Sequence, residues 1–234
     1  LKYLFYSIGG AFLALLGIFF LTRMNEGLFF LPGGVALYTD AVGGDGVLLL
    51  ITFLMLVGVG AKAGMYPLHG WLPAAHPVAP APASAVLSGL IVKAGVFFAI
   101  RIVYYIVGAE TLRGTWVQYA WMVLALVTVF MGSMLAYMEP VLKKRLAYST
   151  VSQVSYILFG LSLLTNAGMW GALLHMIYHA VAKCGLFLCA GAFITQTGCT
   201  RVDDLRGVGK AMPVTTACCA AVALSLVGTP PCSG

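Results

Sequence analysis

The chain has 234 residues, of which 61% are hydrophobic and 9% are charged, and its formal net charge is +6 at pH 7. Soluble globular domains carry about 25% charged residues, so this composition excludes that class and indicates a polytopic membrane protein. The positive charge does not indicate nucleic-acid binding, because the basic residues are scattered or lie in short loops and no polar domain could form a binding face.

Apolar runs long enough to cross a membrane recur along the whole chain. A hydrocarbon core about 30 Å thick requires about 20 helical residues. The predicted spans lie near residues 3–21, 47–66, 84–107, 117–138, 145–165 and 169–197, and a seventh covers 213–234 in part. We therefore predict an all-α fold with a single transmembrane domain over residues 1–234. Because the chain starts and stops within apolar runs, we expect this domain to be incomplete at both ends.

The lysines and arginines of the loops fall mostly on one side of the predicted membrane. That side collects Lys2, Lys143, Lys144, Arg145, Arg201, Arg206 and Lys210. Cytoplasmic loops carry the excess of positive charge, so we expect the N-terminal end and the loops 139–144 and 198–212 to be cytoplasmic. The expected location is the cytoplasmic membrane of a prokaryote.

A proline-rich stretch, residues 67–83, lies between two lysines of the apolar spans, Lys62 and Lys93. Prolines break helices and remove backbone donors, which a membrane tolerates only where protein or a wet cavity satisfies the freed groups. A lysine at the bilayer centre costs about 2.5–3.5 kcal/mol and is a functional hypothesis by default. The stretch therefore favours a transport path, and a lysine that reaches the membrane interface is the alternative for each residue. All seven acidic residues fall in loops or at the ends of spans, so the partners of these lysines are expected elsewhere.

A polar stripe runs along the sixth span, where His175, His179 and Lys183 follow one another at four-residue spacing. This spacing places the three side chains along one side of a helix. Histidine titrates near neutral pH, so the stripe predicts a proton relay. A metal site is the rival interpretation, but the pattern supplies no third ligand, and structural hydrogen bonding by the histidines is the other alternative. The six cysteines show no ligand spacing, and we predict neither a metal nor a cofactor on this chain.

Two further groups of polar residues are candidates for a supporting role. On the fifth span, Tyr148, Ser152 and Gln153 could line a water path or could make ordinary interhelical contacts. In the broken stretch, His69 and His76 could take up protons or could form hydrogen bonds at a helix end. The residues alone leave both alternatives open.

Three segments carry a resemblance to a known superfamily. They are PLHGWLPAAHPVAPAPASAVLSGLIVKAG at 67–95, KKRLAYSTVSQVSY at 143–156 and GALLHMIYHAVAKCGLF at 171–187. The sequence resembles the antiporter-like, proton-translocating membrane subunits of complex I, of Mrp-type cation/proton antiporters and of membrane-bound hydrogenases. The resemblance implies a fold of about fourteen transmembrane helices with inverted repeats and broken helices, of which this chain would supply six to seven. It also implies that Lys62 is the lysine of the first broken helix, that Lys93 is the connecting lysine, and that the stripe on the sixth span is part of a central polar axis.

We therefore expect a subunit that moves protons through a relay of lysines and histidines, with exchange for sodium left open. Its expected partners are other membrane subunits of a complex and membrane lipid. No redox site is predicted on the chain, so whether it counts as part of an oxidoreductase or of an antiporter stays open. The alternatives are a stand-alone secondary transporter of a small solute and a structural scaffold subunit.

Overall fold

The computed structural model describes residues 2–24 and 44–229, and helices make up most of this part of the chain. The α-helices are α1 (Lys2–Met24), α2 (Gly44–Ala63), α3 (Trp71–Val78), α4 (Ala81–Val86), α5 (Val92–Ile100), α6 (Ala109–Leu112), α7 (Trp116–Met138), α8 (Leu142–Ser162), α9 (Asn166–Thr197), α10 (Val208–Ala211) and α11 (Pro213–Val227). In the described residues the β-type pairing is confined to one isolated bridge. The prediction of an all-α fold is confirmed.

Helices α4 and α5 belong to one continuous helix, which we call the α4–α5 helix, over residues 81–107. Two π-helical segments interrupt its regular α-helical geometry, Leu87–Ile91 and Arg101–Val107. In the first of them the backbone N–H of Val92 reaches the carbonyl of Leu87, five residues earlier. Segments of this kind widen a helix locally and often occur at functional sites.

Five helices are long and apolar enough to cross a membrane. They are Tyr3–Arg23, Gly46–Ala63, Ala81–Val107, Trp116–Met138 and Asn166–Thr197. Several of them begin a few residues before the predicted spans, because polar or small residues ahead of the apolar run complete the first turn. The start of α9 is an example, since the Thr165 hydroxyl caps it by accepting a hydrogen bond of 3.1 Å from the backbone N–H of Gly168.

Helix α8 is long enough to cross a membrane but is more polar than these five. It packs against α7 and α9 along its length, and it also contacts α3 and α5. Ten of its 21 residues are buried, among them Thr150, Ser152 and Ser155. Protein rather than lipid therefore surrounds its polar side chains, and the bundle around α8 is where hydroxyl groups can be satisfied away from water.

The predicted break between α2 and the α4–α5 helix contains a short helix of its own, α3. Helix α2 ends at Ala63, and Gly64 follows with a φ of +82°, a conformation that favours glycine. The indole N–H of Trp71 donates a hydrogen bond of 2.8 Å to the carbonyl of Ala61 and so satisfies one group that the helix end leaves free. The break is therefore a compact, buried turn, with Trp71 1% exposed.

The loops around residues 139–144 and 198–202 pair with each other. The backbone N–H of Leu142 donates to the carbonyl of Thr200 at 3.0 Å, and that of Val202 donates to Pro140 at 2.9 Å. Beside them, a hydrogen bond from Lys144, which precedes the predicted span of α8, to Glu139 raises the pKa of this lysine. The two loops thus lie on one side of the bundle, as the charge pattern requires if both are cytoplasmic.

The opposite side of the bundle is closed by other contacts. The Arg113 guanidinium donates a hydrogen bond of 2.7 Å to the carbonyl of Leu164, and the Gln118 side-chain amide donates one of 3.0 Å to Ser162. The first bond joins the connection before α7 to the turn between α8 and α9, and the second joins the first turn of α7 to the end of α8. The last residues of the seventh predicted span, 230–234, lie outside the described residues.

Candidate functional site

Lys93 lies near the middle of the α4–α5 helix, and its side chain is 7% exposed. Its ammonium group donates a hydrogen bond of 2.6 Å to the carbonyl of Ser88, five residues earlier. Ser88 is in the π-helical segment Leu87–Ile91, which alters the regular i to i−4 bonding of the backbone. The widened turn thus presents a backbone acceptor to a buried lysine.

Lys183 is fully buried near the middle of α9, with 0% of its surface exposed. Its ammonium group donates to two acceptors on α8, the hydroxyl of Ser149 at 2.9 Å and the carbonyl of Leu146 at 3.1 Å. Both acceptors come from the polar first half of α8. Hydrogen bonding of this kind is what permits a charge-bearing group inside a helix bundle.

Two hydroxyl groups lie between the carbonyls that accept the hydrogen bonds of the two lysines. The hydroxyls of Ser88 and Thr150 lie 2.8 Å apart, and Thr150 donates to the carbonyl of Leu146 at 2.9 Å. The same carbonyl accepts the bond from Lys183. The bonds of Lys93 and of Thr150 meet at Ser88 but use different groups of it, the carbonyl and the hydroxyl, so polar groups extend from the α4–α5 helix across α8 to Lys183 on α9 with an interruption within Ser88.

The two histidines of the α9 stripe complete the group that we call the lysine–histidine cluster, namely Lys93, His175, His179 and Lys183. The imidazole rings of His175 and His179 stack with centroids 5.9 Å apart. His179 is 0% exposed, and the titratable groups that act on it electrostatically are Lys93, Lys183 and His175. Neither ring nitrogen of His179 has a hydrogen-bond partner among the described residues.

His76, in α3, lies beyond Lys183 at the far end of this cluster. It is 0% exposed, and its ring stacks on Phe187 of α9 with centroids 4.5 Å apart. Lys183 and Lys143 are both near enough to act on it electrostatically. The ammonium group of Lys143 in turn donates a hydrogen bond of 2.9 Å to the carbonyl of Ala79, just after α3. His76 therefore lies between the buried cluster and the side of the bundle where α8 begins.

His69 is less deeply placed than His76. Its ring stacks on Tyr66 with centroids 6.0 Å apart, in the connection between α2 and α3. Its Nδ1 atom has no hydrogen-bond partner within the part of the chain that the structure describes. It makes no contact that joins it to the lysine–histidine cluster in that part.

Lys62 does not join the cluster through any polar contact among residues 2–24 and 44–229. It lies in the last turn of α2, and its ammonium group is 5.9 Å from the centroid of the Trp71 ring. It faces a cavity of about 720 Å³ between α1, α2 and the α4–α5 helix. The backbones of α2 and the α4–α5 helix nevertheless approach closely beside it, because a Cβ atom on Gly95 would lie 2.7 Å from the backbone nitrogen of Ala63.

The three candidates on α8 lie outside the cluster. Ser152 bonds to Ser133 at 2.7 Å and to the carbonyl of Val129 at 3.1 Å, which places it in the interface with α7. Tyr148 lies under the ammonium group of Lys144, 5.9 Å from the ring centroid. Gln153 is half-buried. The helix thus uses different polar residues for the cluster and for packing against α7.

Sequence reasoning missed the two carbonyls that accept hydrogen bonds from the lysines, those of Ser88 and Leu146, and the bonded hydroxyls of Ser88 and Thr150 between them. Ser84 and Ser88, four residues apart, precede Lys93 in an otherwise apolar helix, and that pattern was the available signal for Ser88. A backbone carbonyl has no sequence signature, because whether it is free depends on local helix geometry and on the neighbouring helix.

No carboxylate pairs with Lys62, Lys93 or Lys183 in the described residues, where the two ion pairs are Arg113 with Glu110 and Lys144 with Glu139. No group of three or more histidine, cysteine or acidic residues in that part of the chain could hold a metal ion. The site therefore consists of lysine and histidine side chains, with hydroxyls and carbonyls between them and without a carboxylate among the described residues.

These features define a class of protein: an integral membrane helical bundle with titratable side chains placed across its interior. The chain belongs to the NADH:quinone oxidoreductase/Mrp antiporter, TM family, which it matches over residues 1–234. The family confirms the resemblance that the three sequence segments predicted.

Similar proteins include subunits of an NADH-quinone oxidoreductase and of a hydrogenase. The chain is 35% identical over 235 residues to NADH-quinone oxidoreductase subunit N of Desulforudis audaxviator (strain MP104C), covering 100% of this chain and 46% of the relative. It is 38% identical over 200 residues to hydrogenase-4 component B of Escherichia coli (strain K12), covering 81% of this chain and 30% of the relative. The chain thus spans half or less of the length of these relatives.

Solved structures match the fold over nearly the whole chain. The structure of the Mrp complex from Dietzia sp. DQ12-45-1b superposes with a TM-score of 0.85 at 26% identity, over 98% of this chain and 41% of that one. The membrane-bound sulfane sulfur reductase, an archaeal respiratory membrane complex, gives a TM-score of 0.86 at 26% identity, over 98% of this chain and 46% of that one. The predicted antiporter-like fold is confirmed.

Proposed function

We propose that this chain moves protons across the cytoplasmic membrane of a prokaryote, as part of an antiporter-like subunit within a complex of membrane subunits. The observation that carries the proposal is the placement of two buried lysines, Lys93 and Lys183, on either side of the bonded hydroxyls of Ser88 and Thr150, with each ammonium group held by a backbone carbonyl. A scaffold subunit would have no need of two buried lysines placed in this way, since each lysine is costly inside a membrane.

Each residue has a role in the proposed relay. Lys93 is the bridging proton carrier, and His175, His179 and Lys183 form the central part of the relay. Lys62 accepts protons at the break and passes them on through water, since no described side chain bridges it to Lys93. His69 and His76 are the supporting uptake groups.

Electrostatic repulsion supplies the coupling in this scheme. Lys93 and Lys183 are near enough to influence each other, and two like charges repel strongly in a low-dielectric interior. A proton that arrives on one lysine therefore favours the release of a proton from the other. A carboxylate that approached from a neighbouring helix or subunit would reverse the preference and hold the proton, which gives the complex a means of driving the relay.

Protons suit this array better than sodium. Hard metal cations are bound by oxygen ligands, usually carboxylates and carbonyls, whereas lysine and histidine repel a cation when they are protonated. Sodium exchange, if the complete protein carries it out, is expected to use groups other than the lysine–histidine cluster.

The test is proton uptake into vesicles that contain the complete protein in its complex. We expect Lys93→Ala to reduce uptake by on the order of a hundredfold, a loss typical of removing a positioned proton-transfer group. Lys210→Ala is the matched control, because Lys210 is an exposed lysine of the loop side. Assembly of the complex, measured by size-exclusion chromatography, is expected to survive in both variants. Unchanged uptake by an assembled Lys93→Ala complex would exclude the relay and favour the scaffold interpretation.

A further inference from the structure

Helix α11 is attached to the rest of the described bundle mainly through α9. The two helices are joined by the connection 198–212 and pack against each other, and none of the residues of α11 is buried. The contact is close where Gly185 of α9 meets Val222 of α11, since a Cβ atom on Gly185 would lie 3.5 Å from the side chain of Val222. A glycine at such a point lets two helices approach closely.

The register of this contact brings cysteines together. In an antiparallel pair, the residue one turn after Gly185 faces the residue about one turn before Val222. Those residues are Cys189 and Cys219. The thiols of Cys189 and Cys219 are indeed neighbours, near enough for one to form a hydrogen bond with the other.

The other described cysteines are placed differently. The Cys184 thiol points away from α11 and donates a hydrogen bond of 3.5 Å to the carbonyl of Ala85 on α4. The Cys199 thiol lies in the loop after α9, 3.6 Å from the carbonyl of Thr197. Cys218 is exposed, next to Cys219 in the sequence. Cys218 also acts electrostatically on Cys189, but the α9–α11 packing brings Cys219 to face Cys189.

The pair lies towards the loop end of both helices. Cys189 is eight residues before the end of α9 at Thr197, and Cys219 is six residues after the start of α11 at Pro213. At a rise of 1.5 Å per residue, both thiols lie about 10 Å from the helix ends rather than at the membrane centre. Both residues are partly exposed in the described part of the chain.

We propose that Cys189 and Cys219 are a redox modification site, at which a peroxide forms a disulfide that links α11 covalently to α9. Hydrogen peroxide takes two electrons from the two thiols, the S–S bond forms, and the two thiol protons leave with the peroxide oxygens as two molecules of water. A thiol reductant reverses the step. The geometric requirement, Cα atoms within about 7 Å of each other, is one that closely packed helices can meet.

The disulfide would hold α11 against the helix that carries His175, His179 and Lys183. Because none of the residues of α11 is buried in the described part of the chain, the crosslink would be a strong constraint on its position along α9. The effect of the crosslink on proton movement rests on the proposed function, whereas formation of the disulfide does not. A test of the disulfide itself therefore remains decisive if the proposed function is wrong.

The experiment treats membranes that contain the complete protein with hydrogen peroxide, blocks free thiols by alkylation and analyses the tryptic peptides by mass spectrometry. We expect a crosslink between the peptide that begins at Cys184 and the peptide that contains Cys219, reversible by dithiothreitol. It should disappear in Cys189→Ser and in Cys219→Ser, and it should persist in Cys184→Ser, Cys199→Ser and Cys218→Ser. Persistence in Cys189→Ser or Cys219→Ser, or the absence of any crosslink in the wild-type protein, would overturn the assignment.

Discussion

At the scale of single residues, this protein buries lysines inside the helix bundle, where a charged group costs free energy, and backbone carbonyls accept their hydrogen bonds. Lys93 and Lys183 each donate to a main-chain carbonyl, Ser88 and Leu146 respectively. A carbonyl dipole stabilises an ammonium group without binding it as strongly as a carboxylate does, because a full opposite charge is absent. Such a lysine can hold a proton and also release it, which is the property that a relay requires.

At the same scale, His76 has either a purely structural role or a role in proton uptake. Its ring packs on Phe187, while both of its nitrogens lack partners in the described part of the chain. A structural role would need only the ring, whereas a role in proton uptake needs the nitrogens.

We expect His76→Phe to keep the packing and to lose proton uptake. The substitution roughly conserves volume, so the free energy of unfolding should change by less than about 1.5 kcal/mol. Proton uptake into vesicles should fall on the order of tenfold or more, because a proton-transfer group is gone. His76→Ala provides the contrast for stability, since loss of the ring should cost about 2–5 kcal/mol. Full uptake by His76→Phe would assign the residue a purely structural role.

At the scale of elements, the α4–α5 helix is held by very close contact with α2. Gly95 faces the backbone of Ala63, and this approach puts the end of α2, with Lys62, at the same level as the segment that carries Lys93. The contact is between backbones, so a flexible side chain cannot yield to relieve a clash.

We expect Gly95→Ala to destabilise the bundle. The added Cβ atom would lie 2.7 Å from the Ala63 nitrogen and 3.1 Å from its Cα atom, so the two helices must separate. Overpacking of this kind costs about 1–3 kcal/mol in the free energy of unfolding, which titration with a denaturing detergent can measure. Gly171→Ala is the matched control, since a Cβ atom there meets nothing within 4 Å. Equal stability of the two variants would show that the close approach does not limit packing.

At the scale of the whole molecule, the bundle has two distinct ends. One end holds the paired loops around 139–144 and 198–202, and the other holds the connection before α7 and the turn between α8 and α9. Helices α7, α8 and α9 separate Glu110 from Lys210, so three crossings lie between them. The positive charge of the first end is what predicts its location in the cytoplasm.

We expect a membrane-impermeant maleimide to label Lys210→Cys in inverted membrane vesicles and Glu110→Cys in right-side-out vesicles, each in a protein whose native cysteines are replaced by serine. Both positions are exposed. The Glu110 substitution removes only a surface ion pair with Arg113, worth about 0–1 kcal/mol. The reverse pattern of labelling would invert the orientation. Labelling of both positions from one side would contradict the three crossings.

The sequence by itself determined the class of the protein and which titratable side chains share one side of α9. The low content of charged residues required a membrane, and the 3.6-residue repeat of an α-helix placed His175, His179 and Lys183 on one side of α9. The three sequence segments identified the family. These properties depend on composition and local spacing, which tertiary contacts do not alter.

Only the tertiary structure decided which groups contact the residues of the proposed relay. Lys183 is satisfied by Ser149 and Leu146, more than thirty residues earlier in the chain, and Lys93 by a carbonyl that belongs to a π-helical segment. Ser152 lies instead at the α7 interface, and Lys62 faces a separate cavity. Lys62 and Lys93, which the sequence presents as equivalent, thus differ in their surroundings. The reason is physical: helix packing and local helix geometry determine which backbone groups are free and which helix faces meet. The spacing of residues along one helix does not specify these contacts.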